Sequence, residues 1–202
     1  MAKEPSYTGM HLDATALRVL AHPLRSRLLS ALRSGGPATA TDLAARLGTN
    51  SGATSYHLRK LESVGLVTDT GEGEGKRRLW RPSTDSHQFD ASDFAGDEDA
   101  ETALSWLVRD YVHQFTERYE HWLDVQESWP LVWRDALGMS DTFVTATPER
   151  LRAMYQEIDE IFTRYRRIDE GDPEARRIHV QLAMYPRDAT PPAVPDPEEG
   201  GS

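Results

Sequence analysis

The sequence predicts a mainly α fold with a small β component (α+β), and three observations carry that prediction. Apolar residues recur at spacings of three and four in several long windows, the pattern of helices with one buried face. Asn, Thr, Pro and Gly stand where such windows begin and end. The β signal is confined to a glycine-bounded hairpin near residue 70 and two short β-prone runs after residue 140.

The elements follow in order. Residues 1–11 lack a pattern and are expected to be poorly ordered. Residues 12–21 read as a helix with Leu17 and Leu20 inward, ended by His22-Pro23. Pro23 suits the first position of the next helix, where its missing amide costs nothing, and Gly35-Gly36-Pro37 breaks that helix after about Ser34. Residues 39–47 form a short helix with Leu43 and Leu47 four apart, stopped by Gly48. Residues 50–65 form a second, capped by Asn50, with Leu58 and Leu61 three apart. Stripes this narrow can be buried only against each other and a third helix. Residues 66–68, a turn at Gly71–Gly75 and a basic strand over residues 76–81 complete a hairpin. Helix, tight turn, helix and hairpin at these lengths predict a winged helix-turn-helix.

That fold directs attention to the face of the second helix opposite its leucines. Ser51, Gly52, Ser55, Tyr56 and Arg59 fall there, small or hydrogen-bonding near the helix start. A recognition helix enters the DNA major groove with such a surface, so Ser51, Ser55, Tyr56 and Arg59 are expected to read bases. Thr39, Thr41, Lys60 and the wing cations Lys76, Arg77 and Arg78 are expected to hold phosphates. Alternation along a strand predicts that Lys76 and Arg77 point opposite ways. Glu72 and Glu74 at the wing tip oppose deep minor-groove insertion. His57 faces the leucine side by one position, which favours packing against the wing over a DNA contact.

Residues 21–32, Ala-His-Pro-Leu-Arg-Ser-Arg-Leu-Leu-Ser-Ala-Leu, resemble the opening P-x-R-x-x-I-L-x-x-L helix of the ArsR-type (ArsR/SmtB-like) bacterial repressors. Residues 58–67, Leu-Arg-Lys-Leu-Glu-Ser-Val-Gly-Leu-Val, resemble that family's H-L-x-x-L-x-x-A-G-L-V run, with His57 in the histidine position. The resemblance covers roughly residues 12–82. It implies a homodimer on a near-palindromic operator of double-stranded DNA, usually released by an effector. It also makes the helix after the wing the expected dimer interface. A cytoplasmic, nucleoid-associated protein is expected from the lack of an apolar span together with that DNA partner.

Composition narrows the rest. The chain has 202 residues, which suit one large or two small domains, and no cysteine, so disulfides and thiolate metal sites are excluded. No segment has the apolar length of a membrane span. The net charge of −10 is unevenly placed: residues 1–84 hold 12 basic against 7 acidic side chains (+5), and residues 85–202 hold 11 against 26 (−15). The basic half is the half with the helix-turn-helix, and the acidic half should be repelled by DNA.

Four regions are expected: a DNA-binding domain over 12–82, a linker over 83–97, a dimerisation and possible effector region over 98–186, and a disordered tail over 187–202. Within the third, residues 100–126 carry one stripe, Leu104, Leu107, Val108, Tyr111, Val112, Phe115, Tyr119, Trp122 and Leu123, on a helix spanning about 40 Å. Residues 142–145, a helix opened by Thr147-Pro148-Glu149, and the alternating run 178–184 predict strand, helix, strand. Directly paired, the two strands would be parallel with a right-handed crossover. The aromatics after the wing suit core, dimer interface or a pocket for a small-molecule effector. His113 and His121 are about 12 Å apart along a helix, too far to share one ion, so no metal site and no cofactor are expected. Without a phosphate-binding glycine motif following a strand, a Gly-x-Ser-x-Gly elbow or a zincin motif, no catalytic residue is expected either.

Overall fold

A computed structural model describes residues 9–191 apart from 74, 76 and 189. The chain runs β1 (Gly9–His11), α1 (Ala14–Leu20), α2 (Pro23–Gly35), β2 (Ala38–Thr39), α3 (Ala40–Leu47), α4 (Ser51–Glu62), β3 (Val67–Asp69) and β4 (Leu79–Pro82). There follow β5 (Ser86–Gln88), a 3-10 turn at Ala91–Phe94, α5 (Glu98–Val125), a second such turn at Gln126–Ser128, α6 (Leu131–Ala136) and α7 (Pro148–Tyr165). The mainly helical, small-β class is therefore what the chain adopts.

Among the described residues every α-helix except α6, which follows Pro130, starts at a local side-chain cap. The side chains of Asp13, Thr39, Asn50, Asp97 and Thr147 accept from backbone amides in the first turns of α1, α3, α4, α5 and α7. Pro23 opens α2, with the imidazole of His22 as its cap. Gly48 ends α3 in the left-handed region at φ 64°, where a side chain would be strained.

The leucine stripes meet in one core. Leu17 and Leu20 of α1, Leu28, Leu29 and Leu32 of α2, Leu43 of α3, and Leu58 and Leu61 of α4 are all buried in it. Leu66, Val67 and Trp80 close it from the hairpin side. The wing is a three-stranded antiparallel sheet in the order β2-β4-β3, Ala38 opposite Trp80 and Asp69 opposite Trp80 on the other side.

A second, parallel pairing joins β1 to β5, with Met10 beside His87. Thus residues 9–11, within a stretch expected to be poorly ordered, form a strand. Residues 83–97, expected to be a linker, hold β5 and a 3-10 turn whose Phe94 is 1% exposed within the core. Phe94 and the β1 ladder make this stretch part of the domain: burial of one aromatic outweighs a polar composition.

The N-terminal half of α5 packs on α1 through Ala100 and Leu107. Polar groups, Ser26 and Gln114 buried among them, run along the same seam to α2. Ser26 Oγ donates to Asp110 Oδ2 at 2.6 Å, Gln114 Nε2 donates to both at 2.7 and 2.6 Å, and Arg118 donates to Ser30 Oγ at 3.0 Å. Nearby, Arg33 and Tyr111 contact the two nitrogens of His87 at 2.6 and 2.5 Å. Burial, then the Arg33 charge, pushes His87 down to about 3, so its ring is neutral in the fold.

Beyond Gln114 the chain has little core. The segments 142–145 and 178–184, expected to be strands, are not strands, and no crossover pairing forms between them. Phe143, Val144, Ile178, Val180, Leu182 and Met184 are exposed. Alternation makes a segment fit for a sheet without supplying a ladder partner, and neither finds one among the described residues. The helix expected between them is present as α7, with none of its residues buried. Most of the expected disordered tail lies outside the described residues, as do residues 1–8.

Candidate nucleic-acid interface

With its leucines buried, α4 turns the opposite face outward, and the wing folds beside it. Between them lies a cleft of about 210 Å³ lined by Thr39, Ala40 and Thr41 of α3 and its cap, Ser51, Ser55 and Arg59 of α4, and Arg77, Arg78 and Trp80 of the wing. Seven of the eleven residues expected from sequence converge there. Gly52, Tyr56 and Lys60 lie exposed on α4 outside the cleft, Tyr56 at 56%. Lys60 Nζ stands 5.8 Å above the Tyr56 ring. Lys76 lies outside the described residues.

The roles within the cleft differ from residue to residue. The Thr39 hydroxyl donates to Asp42 Oδ2 at 2.7 Å and accepts from the Asp42 amide at 3.2 Å, closing a capping box. These bonds engage the Thr39 hydroxyl in shaping the α3 start. Hydrogen bonds from Thr39, with smaller help from Arg46 and Arg77, hold the Asp42 carboxyl below its usual range. Thr41, Ser51 and Ser55 have no such engagement among the described hydrogen bonds.

The wing cations also correct an expectation. The basic run was expected to be strand from residue 76, but β4 begins at Leu79. Arg77 and Arg78 therefore sit in the turn, where strand alternation does not operate, and both face the cleft. Gly73 makes the return of the chain feasible, since a Cβ there would lie 1.8 Å from the Arg77 carbonyl oxygen. Arg78 is held by Glu62 of α4 at 3.5 Å and Asp69 of β3 at 3.4 Å, with its guanidinium 5.6 Å from the Trp80 ring. Trp80, 2% exposed, is the cleft's floor and was not singled out from sequence. Its signal was the one aromatic within a basic run.

His57 is partly buried, as its position indicated, but the ring contacts it makes are with the α1–α2 corner and its own helix instead of the wing. Its ring lies 4.5 Å from that of His22 and 5.1 Å from that of Tyr56. His113 pairs with Glu117 on the exposed side of α5. Among the described residues, the group whose donor atoms could close on a cation is exposed His11, Asp90 and Asp93, within 4.8 Å of one another. No described helix is long and apolar enough to cross a membrane.

A core shared by α1, α2, α3 and α4, a polar outer face on α4 and a basic wing define a winged helix-turn-helix unit. Residues 20–70 match the family model described as a helix-turn-helix domain. Over 60 residues the chain is 42% identical to the HTH-type transcriptional regulator NmtR of Mycobacterium tuberculosis, covering 30% of this chain. The chain spans about half (49%) of that relative's length. Among solved structures, a possible transcriptional regulator for arsenical resistance is 33% identical, covering 45% of this chain and 79% of that one at TM-score 0.31. The homodimeric winged helix-turn-helix DNA-binding domain (fragment 1–100) of Mb0332 from Mycobacterium bovis, a possible ArsR-family regulator, is 26% identical, with coverages of 48% and 77% and TM-score 0.32. Residues 20–70 of this chain are thus a helix-turn-helix domain, and the hairpin beside it gives the N-terminal unit a winged helix-turn-helix fold.

Proposed function

We propose that the chain is a sequence-specific transcriptional regulator, a repressor that binds a near-palindromic operator as a homodimer. The observation that carries this reading is the cleft. Thr41, Ser51, Ser55, Arg59, Arg77 and Arg78 line one polar groove, while Leu43, Leu58 and Leu61 of the same helices are buried in the core. An α4 entering the major groove would put Ser51, Ser55 and Arg59 at base edges, with Tyr56 and Lys60 at its flank and the wing cations along the backbone. The similarity to NmtR over the helix-turn-helix supports the same reading. The dimer is supported by α5, whose Val108, Val112 and Leu123 are exposed in the single chain.

The test is a gel shift with the DNA upstream of the chain's own gene, against a random duplex of equal length. Retardation of the upstream fragment at protein concentrations that leave the random duplex free supports the reading. Equal retardation, or none at low salt, overturns it.

A further inference from the structure

We propose that the His22–His57 ring pair is a proton-sensitive joint that positions α4 for nucleic acid. The two rings join elements far apart in sequence. His22 stands at the corner between α1 and α2, and its Nδ1 accepts from the Leu24 amide at 3.2 Å. The neutral ring must then carry its hydrogen on Nε2, so a second proton goes to Nδ1 and removes the α2 cap. His57 belongs to α4, one residue after Tyr56 and two before Arg59, and its ring lies against His22 with centroids 4.5 Å apart and planes tilted by 38°. Its Nδ1 is buried with no hydrogen-bond partner among the described residues.

The surroundings make the charged form costly. Arg25 of α2 acts on both rings, and its Nε is also buried with no hydrogen-bond partner among the described residues. Tyr56 presents its ring edge-on to His57 at 5.1 Å. No carboxylate of α1, α3 or the wing acts on either ring among the described residues. Burial first, then Arg25 for His22, and His22 followed by Arg25 for His57, hold both imidazoles below their ordinary value. With the folded value depressed, the packed joint is complete above the free imidazole value of about 6.5 and is lost as pH falls from there through the lower folded value. Protonation sets a cation against an imidazole and a guanidinium, and parting α4 from the α1–α2 corner relieves it. Tyr56 and Arg59 move with α4.

The functional consequence rests on the DNA-binding reading, and its sign is distinctive. Acidification makes a protein more positive and ordinarily tightens DNA binding. The joint predicts the reverse. The probe is a duplex selected by the wild-type chain from a random library at about pH 7.5, titrated at constant ionic strength. Wild-type affinity is expected to fall about threefold or more on going to about pH 5.5. In His57→Phe, and in His22→Asn, which keeps a cap acceptor, the profile normalised to each variant's own value at the higher pH is expected to be flat or rising. A rising wild-type profile, or an undiminished fall in a folded variant, overturns the joint. NMR of the free protein judges it without DNA. The amides of Tyr56 and Arg59 should shift with the His57 ring titration and stop doing so in His22→Asn; amides that stay still while the ring titrates overturn it. Failure to select any duplex instead overturns the DNA-binding reading and leaves the joint to the NMR measurement.

Discussion

Arg59 and Arg78 both line the cleft, yet their surroundings assign them different work. Arg59 is exposed on the outer face of α4 near its end, so its guanidinium is free to make two parallel donations to a base edge. Arg59→Ala should cost about 1–3 kcal/mol on the preferred duplex and almost nothing on a random one, so sequence preference relaxes. Binding titrations on the two duplexes check this, and equal losses on both would remove Arg59 from base reading. Arg78 starts from Glu62 and Asp69, each more than 3 Å away in a half-exposed pair worth little on its own. Exchanging one of them for a phosphate is cheap, and the contact carries no base information. Arg78→Ala should therefore weaken every duplex by the same factor and lower the magnitude of the salt slope by about 1. An unchanged slope would leave Arg78 as a brace between α4 and the wing.

At the scale of elements, α4 is short and polar on its outer face, so its start matters. Asn50 Oδ1 accepts from the Ala53 amide at 2.8 Å. Asn50→Ala should destabilise the domain by about 1 kcal/mol, read as a lowered thermal midpoint, with Asn50→Asp losing little. Equal loss in both variants would show that the cap is not what the position supplies. Caps of this kind are why the helices were legible in the sequence: Thr39, Asn50 and Thr147 act within three residues of themselves. The cleft was legible for a related reason, since burying Leu58 and Leu61 fixes where Ser51, Ser55 and Arg59 must point. Strands were not legible, because a ladder needs a distant partner. Residues 9–11 and 86–88 have little β character and pair, whereas 142–145 and 178–184 have it and do not. Arg77 was read as strand and lies in a turn, because the onset of β4 depends on Trp80 reaching the core.

Over the whole molecule, α5 is the element that leaves its own domain. Its first half is anchored by Ala100, Leu107 and the Ser26–Asp110–Gln114 cluster, and Val112, 56% exposed, faces away from all of them. In a two-fold dimer an isologous α5 contact sets Val112 close to its own copy or to the same stripe. Val112→Glu should then convert dimer to monomer in light scattering after gel filtration, with unchanged circular dichroism. A dimer that survives the charge would place the interface elsewhere.

Dimer geometry also dictates what the DNA must look like. Two α4 helices held rigidly by α5 would enter successive major grooves on one side of the duplex, with half-site centres roughly 34 Å, one helical turn, apart. The acidic half, −15 over residues 85–202 against +5 over residues 1–84, resists sliding closer to the phosphates, so a misplaced half-site is not rescued by non-specific adhesion. Insertion of about half a helical turn between the half-sites should therefore reduce affinity to that of a single half-site, because the second α4 faces the wrong side of the duplex. Gel shifts across a series of spacer lengths check it. Affinity that is indifferent to spacing would mean that the two wings bind through a flexible link, which the continuous 28-residue α5 packed on α1 opposes.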